Sequence, residues 1–496
     1  MKRVAAAIFA LGAAACASGA GRSPASLSPR DQLTRFVDSS VADARFRSAQ
    51  WGILIVDPER GDTLYSRNAG KLFIPASNQK LLTGAVALDV LGPGYRYSTH
   101  FAAGGPIVDG VLQGDLIVRG TGDPTISDAM QRDAMLPLRA IAESLYARGV
   151  RRIAGGLTSA GDPFPAPGYG FGWAWDDLDF PYSAGVDELM FNEGFARVRV
   201  RAGIDSGAPV TVSVTPARDY PRVRVTAVTV VRGDSVRSLR VRHDSTSLGT
   251  IIVEGAIAAG DSSERRIAFR DQRHAYLSAL REAIIQRGIA VDSSTIGWIA
   301  SAANGDREPA GMPLFSWRSD SLGAILATFE KPSQNQIGEL LLRTIGLTAG
   351  DAGTPEEGAR IVSDALRAWG AASDGFRVRD GSGLSRHNVV SPETIIKVLD
   401  AMRRSPHFSV FRDALPIAGV DGTIGSRMRE TAAATNVRAK TGTLDMVRSL
   451  SGYVTSADGR VLIFSILCNN WLVEVREVDR VADAVGVRLA ELRLTR

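Results

Sequence analysis

Apolar residues recur at helical spacing between 28 and 47, where Leu33, Phe36, Val37, Val41 and Phe46 follow Ser28 and Pro29, a pair suited to a helix start. The stretch WGILIVDPERGDTLYS then predicts a hairpin turning over residues 58–61. From Ser77 onward, Leu81, Leu82, Val86, Val90 and Leu91 predict a helix ending near Gly92, so the serine sits at a helix N-terminus. Between about 96 and 304, polar and β-branched residues alternate in VLQGDLIVRG, ARVRVRAG, PVTVSVTPARDYPRVRVTAVTVV and SLGTIIVEGAI, which predicts strand after strand. Helical patterns return after 305 in SLGAILATFE, NQIGELLLRTIGL, TPEEGARIVSDALRAWG and SPETIIKVLDAMRR. The strands VRAKTGT, SLSGYVTS and VLIFSILCNN follow, with Asp458 and Gly459 turning the last hairpin, and REVDRVADAVGVRLAELR closes the chain as a helix. This order predicts one α/β domain, in parts at 21–95 and 305–496, split by a β-rich insertion at 96–304.

Composition adds bounds. At 496 residues the chain exceeds one compact core. The net charge of +5 is too small to argue for nucleic acid, and the Arg/Val alternation of the insertion reads as solvated strand faces. Residues 1–20 have two cations, an apolar run from Val4 to Ala15 and small residues after it, the layout of a secretory signal. The expected location is therefore outside the cytoplasm, in the periplasm or cell envelope. A membrane tether would need lipidation of Cys16, where Ala13 stands in place of the usual lipobox Leu. Cys468, the other cysteine, is expected to be a small buried hydrophobe in a strand. Neither a His/Cys pair at ligand spacing nor a phosphate loop is present, so no metal or cofactor is expected, and His387 reads as a surface loop residue.

The basic residues change the picture. Of 58, only six are lysine: Lys2, Lys71, Lys80, Lys331, Lys397 and Lys440. Arg keeps its proton in a protein, whereas burial or a neighbouring cation can make a Lys amine a base. Lys80 stands three residues after Ser77, on one helix face with it, and helix N-terminal N–H groups favour a developing oxyanion. Lys331 opens KPSQN with Ser333 and Asn335, and Lys440 opens KTGT with Thr441, Gly442 and Thr443. Ser-x-x-Lys, Ser-x-Asn and Lys-Thr-Gly in that order form the signature of penicillin-interacting serine enzymes. A neutral Lys80 would take the Ser77 proton, helped by the charge of Lys440. Ser333 would pass protons to the leaving amine, and Asn335 would anchor a substrate amide. Gly442 would leave room for a peptide beside the strand, with Thr441 and Thr443 serving a terminal carboxylate.

The wide separation of the first two motifs, 256 positions (333 − 77), resembles the D-alanyl-D-alanine carboxypeptidase/endopeptidase family of class C low-molecular-mass penicillin-binding proteins. GDLIVRGTGDPT, GWAWDDL, YSAGVDELMFNEG and VRDGSGLSRHNVVSP add to the likeness. The resemblance implies a transpeptidase-like, β-lactamase-like α/β domain whose insertion forms two small domains, and an exported serine DD-peptidase with Ser77 as nucleophile. Its implied partners are peptidoglycan stem peptides, with β-lactams as covalent inhibitors and Ser77 and Thr443 N–H groups as the oxyanion hole. A β-lactamase or esterase using the same residues, or a non-catalytic wall-binding protein, are the alternatives. Gln334 replaces a common Asp, and TSAGDPF has Ala160 and Gly161 where the family often has an acidic pair, with Asp162 displaced. ELMFN, from Glu188 to Asn192, imitates a deacylation loop but precedes Ser333 and is read as structural.

Overall fold

The computed structural model describes residues 27–165, 167–233, 238–247, 249–299 and 311–494. The expected signal segment, Cys16 and the insertion boundary at 304 lie outside the described residues. The first predicted helix forms as Pro29–Val41, its start capped by the Ser28 hydroxyl accepting from the Asp31 N–H at 3.1 Å. It stops short of 47 because Asp43 caps a separate turn, Ala44–Phe46.

Both ends of the chain build one antiparallel sheet, ordered Asp62–Arg67, Gln50–Asp57, Val461–Asn469, Val447–Thr455, Arg438–Leu444. Period-two alternation along Val461–Asn469 feeds two cores. Leu462, Phe464, Ile466 and Cys468 pack with the terminal helices Pro29–Val41 and Val475–Glu491. Ile463 and Leu467 face the other way, toward Gln79–Leu91, Leu322–Glu330, Asn335–Ala349 and Pro392–Arg404. Helices on both faces of a sheet give the expected α/β domain three layers.

The insertion differs from its reading as strands alone. It contains the helices Met135–Ala147 and Gln272–Gln286, and its largest sheet runs Ile296–Ile299, Leu157–Ala160, Leu116–Arg119, Ser98–Ala103, Met312–Arg318. Leu116–Arg119 and Ile296–Ile299 each pair parallel with Leu157–Ala160, and parallel neighbours need a crossover that these helices supply. The last strand, Met312–Arg318, falls within the range read as the α/β domain, yet it pairs with Ser98–Ala103. The path re-enters the α/β layers only with the helix Leu322–Glu330. Val198 and Val200 point into the insertion core while Arg199 and Arg201 stay exposed, as solvated strand faces should. Among the described residues no helix is long and apolar enough to cross a membrane.

Candidate active site

Ser77 lies on a tight turn, Ala76–Asn78, that runs directly into the helix Gln79–Leu91. The turn is held in a left-handed kink at Ala76, whose φ is 47°. Backbone strain of this kind survives only where surroundings enforce it. Gly383 helps enforce it: a Cβ there would stand 1.9 Å from Ala76 O, so only glycine admits the approach. The helix behind is buried on nearly every side, which carries Lys80 wholly out of water.

The Lys80 amine has three close neighbours. Nζ lies 3.0 Å from Ser77 Oγ, 2.7 Å from Asn335 Oδ1 and 2.6 Å from the Ser382 carbonyl. Asn335 is oriented by its Nδ2, which donates to the Tyr182 carbonyl at 2.7 Å, so its oxygen must face Lys80. Two of the three neighbours are therefore pure acceptors. A neutral amine has two N–H groups for them and one lone pair, which is left for the Ser77 hydroxyl. Burial, then the charge of Lys440, pushes the Lys80 amine down to about 7, against Glu330, Asp380 and Glu339. Lys440 is equally buried and donates to the Thr441 carbonyl at 3.1 Å; burial pushes it down to about 8, against Glu330.

A cleft of about 560 Å³ opens in front of the serine, lined by Ser77, Ser333, Asn335 and Thr443 together with Asp177 and Arg386. The four motif residues come from three distant stretches of chain. Ser333 adopts a left-handed φ of 66°, a second strained residue at the same cleft. Gln334 turns away: its side chain caps the helix Asn335–Ala349 at the Gln336 N–H and donates to Glu193. Thr441 also points elsewhere, its hydroxyl bonded to Thr423 at 2.7 Å, so Thr443 alone of the two threonines lines the cleft.

The role expected for Gly442 is corrected. A Cβ on Gly442 would meet Ser449 Oγ at 2.1 Å, Pro75 O at 2.5 Å and Ser77 N at 3.0 Å. Its missing side chain thus makes room for the nucleophile turn, not for a peptide in the cleft. Alternation along the strand explains this, since Gly442 faces inward and its neighbour Thr443 faces out.

Residue-by-residue motif reading passes over the loop 378–390. Asp380 accepts from Gly383 N, Ser385 N, Asn388 Nδ2 and Trp173 Nε1, at 2.8, 2.6, 2.7 and 3.0 Å. That web fixes the Ser382 carbonyl which holds Lys80, while Glu339 accepts the N–H groups of Gly381 and Ser382 from the other side. The stretch VRDGSGLSRHNVVSP carries the only signal, its density of small polar residues. Asp162 faces a separate cavity with His100 and Arg119, and Glu188 pairs with Arg273 at 2.8 Å, away from the cleft. His387 is exposed and packs edge-on against Phe171.

A serine at a strained turn, a buried amine on its hydroxyl and a strand beside its N–H define an α/β serine acyl-transfer enzyme of the penicillin-interacting type. The sequence profile of the D-Ala-D-Ala carboxypeptidase 3 (S13) family matches residues 33–492, and the chain belongs to that family. It is 34% identical over 474 residues to a D-alanyl-D-alanine carboxypeptidase of Actinomadura sp., spanning 93% of this chain and 85% of that one. It is 27% identical to the D-alanyl-D-alanine carboxypeptidase DacB of Haemophilus influenzae, over 90% of this chain and 91% of the relative. The crystal structure of penicillin binding protein 4 from Haemophilus influenzae superposes with a TM-score of 0.75 at 24% identity, covering 93% and 98% of the two chains. That likeness shows the fold, the α/β architecture with its large insertion.

Proposed function

We propose that this chain is a serine DD-peptidase that cleaves the D-Ala-D-Ala bond of peptidoglycan stem peptides, and D-Ala cross-links of the same chemistry, through an acyl-enzyme on Ser77. One observation carries the reading: a wholly buried amine 3.0 Å from the Ser77 hydroxyl, held by two fixed acceptors, Asn335 Oδ1 and the Ser382 carbonyl, so that once neutral it has a lone pair for the Ser77 proton. Lys80 takes the Ser77 proton as Oγ attacks the D-Ala carbonyl carbon. The N–H groups of Ser77 and Thr443 receive the developing oxyanion. Ser333 relays the proton to the departing amine, and the C-terminal D-amino acid leaves. Water then attacks the acyl carbon, the proton path runs in reverse, and Ser77 is restored. Lys440, behind Thr443, supplies positive potential for the substrate's terminal carboxylate. The relatives' printed activity supports this substrate class, and a wall substrate fits an exported protein in the periplasm or cell envelope.

A β-lactam would acylate the same serine. Intact-mass spectrometry after brief exposure to benzylpenicillin should show a persistent one-to-one adduct, absent from Ser77→Ala. Release of D-Ala from a D-Ala-D-Ala peptide should disappear in the same variant. Turnover by Ser77→Ala at the wild-type rate would refute the nucleophile. Rapid loss of the adduct with drug consumed would favour a β-lactamase.

A further inference from the structure

Glu330 ends the helix Leu322–Glu330 immediately before the second motif, and it is fully buried. Neither carboxylate oxygen meets a hydrogen-bond donor among the described residues. Its placement opposes stability in three ways. A charge has left water, no donors replace the lost hydration, and the negative end of a helix dipole lies against it. A carboxylate buried without a donor beside the nucleophile helix breaks local rules and points to a task.

Its surroundings say which. Oε1 lies beside Gly84, where a Cβ would stand only 2.9 Å away, so the glycine makes room for the carboxylate. Gly84 is one helical turn beyond Lys80 on the nucleophile helix, which puts Glu330 over the same helix face as the base. Lys440, wholly buried on the strand side, is the cation that acts most strongly on the Glu330 carboxylate, without a hydrogen bond between them. The other charged groups facing Lys80 are Asp380 and Glu339. Asp380 is committed to the 378–390 loop, and Glu339 to that loop and to Arg343 at 3.8 Å. Lys331 is drawn outward to Asp421 at 2.5 Å. Glu330 is thus the one carboxylate of the cluster with no other partner among the described residues.

We propose that Glu330 is a positioning residue that acts through Lys440: it is the buried counter-charge that keeps Lys440 an ammonium while Lys80 serves as the neutral base. Two ammonium groups cannot share this dry space, and burial alone would strip the proton from Lys440 too. Burial pushes the Glu330 carboxyl up to about 7, against the charges of Lys440 and Lys80, so it is ionised on the alkaline side of neutrality. That is where Lys440 needs it: burial pushes its amine down to about 8 even with the Glu330 charge opposing the fall. On the acid side Glu330 is protonated and its influence lapses.

The inference rests on the acyl-transfer reading of the site, and its test separates the two. The rate of Ser77 acylation by benzylpenicillin is followed across about pH 6 to 10 in the wild type, Glu330→Gln and Glu330→Asp. Glu330→Gln keeps the shape and should shift the alkaline limb down by about one unit, roughly a tenfold loss of rate above that limb. Glu330→Asp, which retains the charge, should keep the alkaline limb near its wild-type position. In the unaltered protein, carbon-13 NMR of the Lys440 side chain should report an ammonium at neutral pH. An alkaline limb unchanged in folded Glu330→Gln, an equal loss at every pH in both variants, or a neutral Lys440 amine would each overturn the assignment and leave the function intact. A wild type that benzylpenicillin does not acylate would overturn the acyl-transfer reading and this inference with it.

Discussion

Replacing Gly442 by Ala tests how the third motif serves the nucleophile. The new Cβ would stand 2.1 Å from Ser449 Oγ, 2.5 Å from Pro75 O and 3.0 Å from Ser77 N. Ser449 can rotate aside if it gives up its hydrogen bond to the Pro75 carbonyl, 2.8 Å in length. Pro75 O and Ser77 N are backbone of the strained turn and cannot. Relaxed contacts to carbon lie at about 3.5 Å, so the strand must retreat by about 1 Å from the turn. That retreat separates the Ser77 and Thr443 N–H groups proposed to share the oxyanion, while the Ser77–Lys80 pair, carried on one helical segment, is spared. A displacement of this size costs about 100-fold in rate, within the range of about 10²–10³ for losing one oxyanion donor. Overpacking should also lower stability by about 1–3 kcal/mol. Stopped-flow acylation by benzylpenicillin reads the first effect and urea unfolding the second. Acylation within about threefold of wild type, alongside the expected loss of stability, would refute the link between strand packing and the oxyanion site.

Three further outcomes follow from the same geometry. Acylation needs Lys80 neutral, and its amine is pushed down to about 7, so the wild-type rate should fall about tenfold per pH unit below that value. Lys440 presses on that amine, so Lys440→Gln raises the Lys80 pKa and moves the acid limb to higher pH; a limb that stays put would refute the coupling. Asp380→Ala strands three donors of the 378–390 loop and the Trp173 Nε1–H, and should cost about 3–5 kcal/mol in urea unfolding, with slower acylation as the Ser382 carbonyl loses its anchor.

The strands and helices of the α/β domain were legible because each has one buried face, and burial prints a period of 2 or 3.6 on the chain. In the insertion, Leu138, Ile141, Ala142 and Leu145 do carry a helical stripe, but the β-branched runs around them dominate the local pattern. Strand Met312–Arg318 was illegible for another reason. Only the position of its partner Ser98–Ala103 decides which sheet it joins, and no local periodicity records that. The motif serines and lysines could be picked out by order and spacing. What each faces could not: alternation along the strand turns Gly442 toward the nucleophile turn, while Thr441, on the same strand face as Thr443, is held by Thr423 and leaves only Thr443 on the cleft.

The protonation of the site is the step furthest from the sequence. Spacing puts a lysine beside the serine, but it does not say why that lysine, among several cations, should be the neutral one. Depth alone does not answer it, because Lys80 and Lys440 are both wholly buried. The difference lies in neighbours. Lys80 faces two fixed carbonyl-type acceptors and a hydroxyl, a set that a neutral amine satisfies completely, and it bears the repulsion of Lys440. Lys440 has a single carbonyl acceptor, and Glu330 is the charge that opposes its deprotonation. The same two side chains exchanged between these settings would exchange their charge states. The base is therefore defined by which acceptors and which carboxylate the fold delivers to each amine, and those arrive from the helix Asn335–Ala349, the 378–390 loop and the end of the helix Leu322–Glu330.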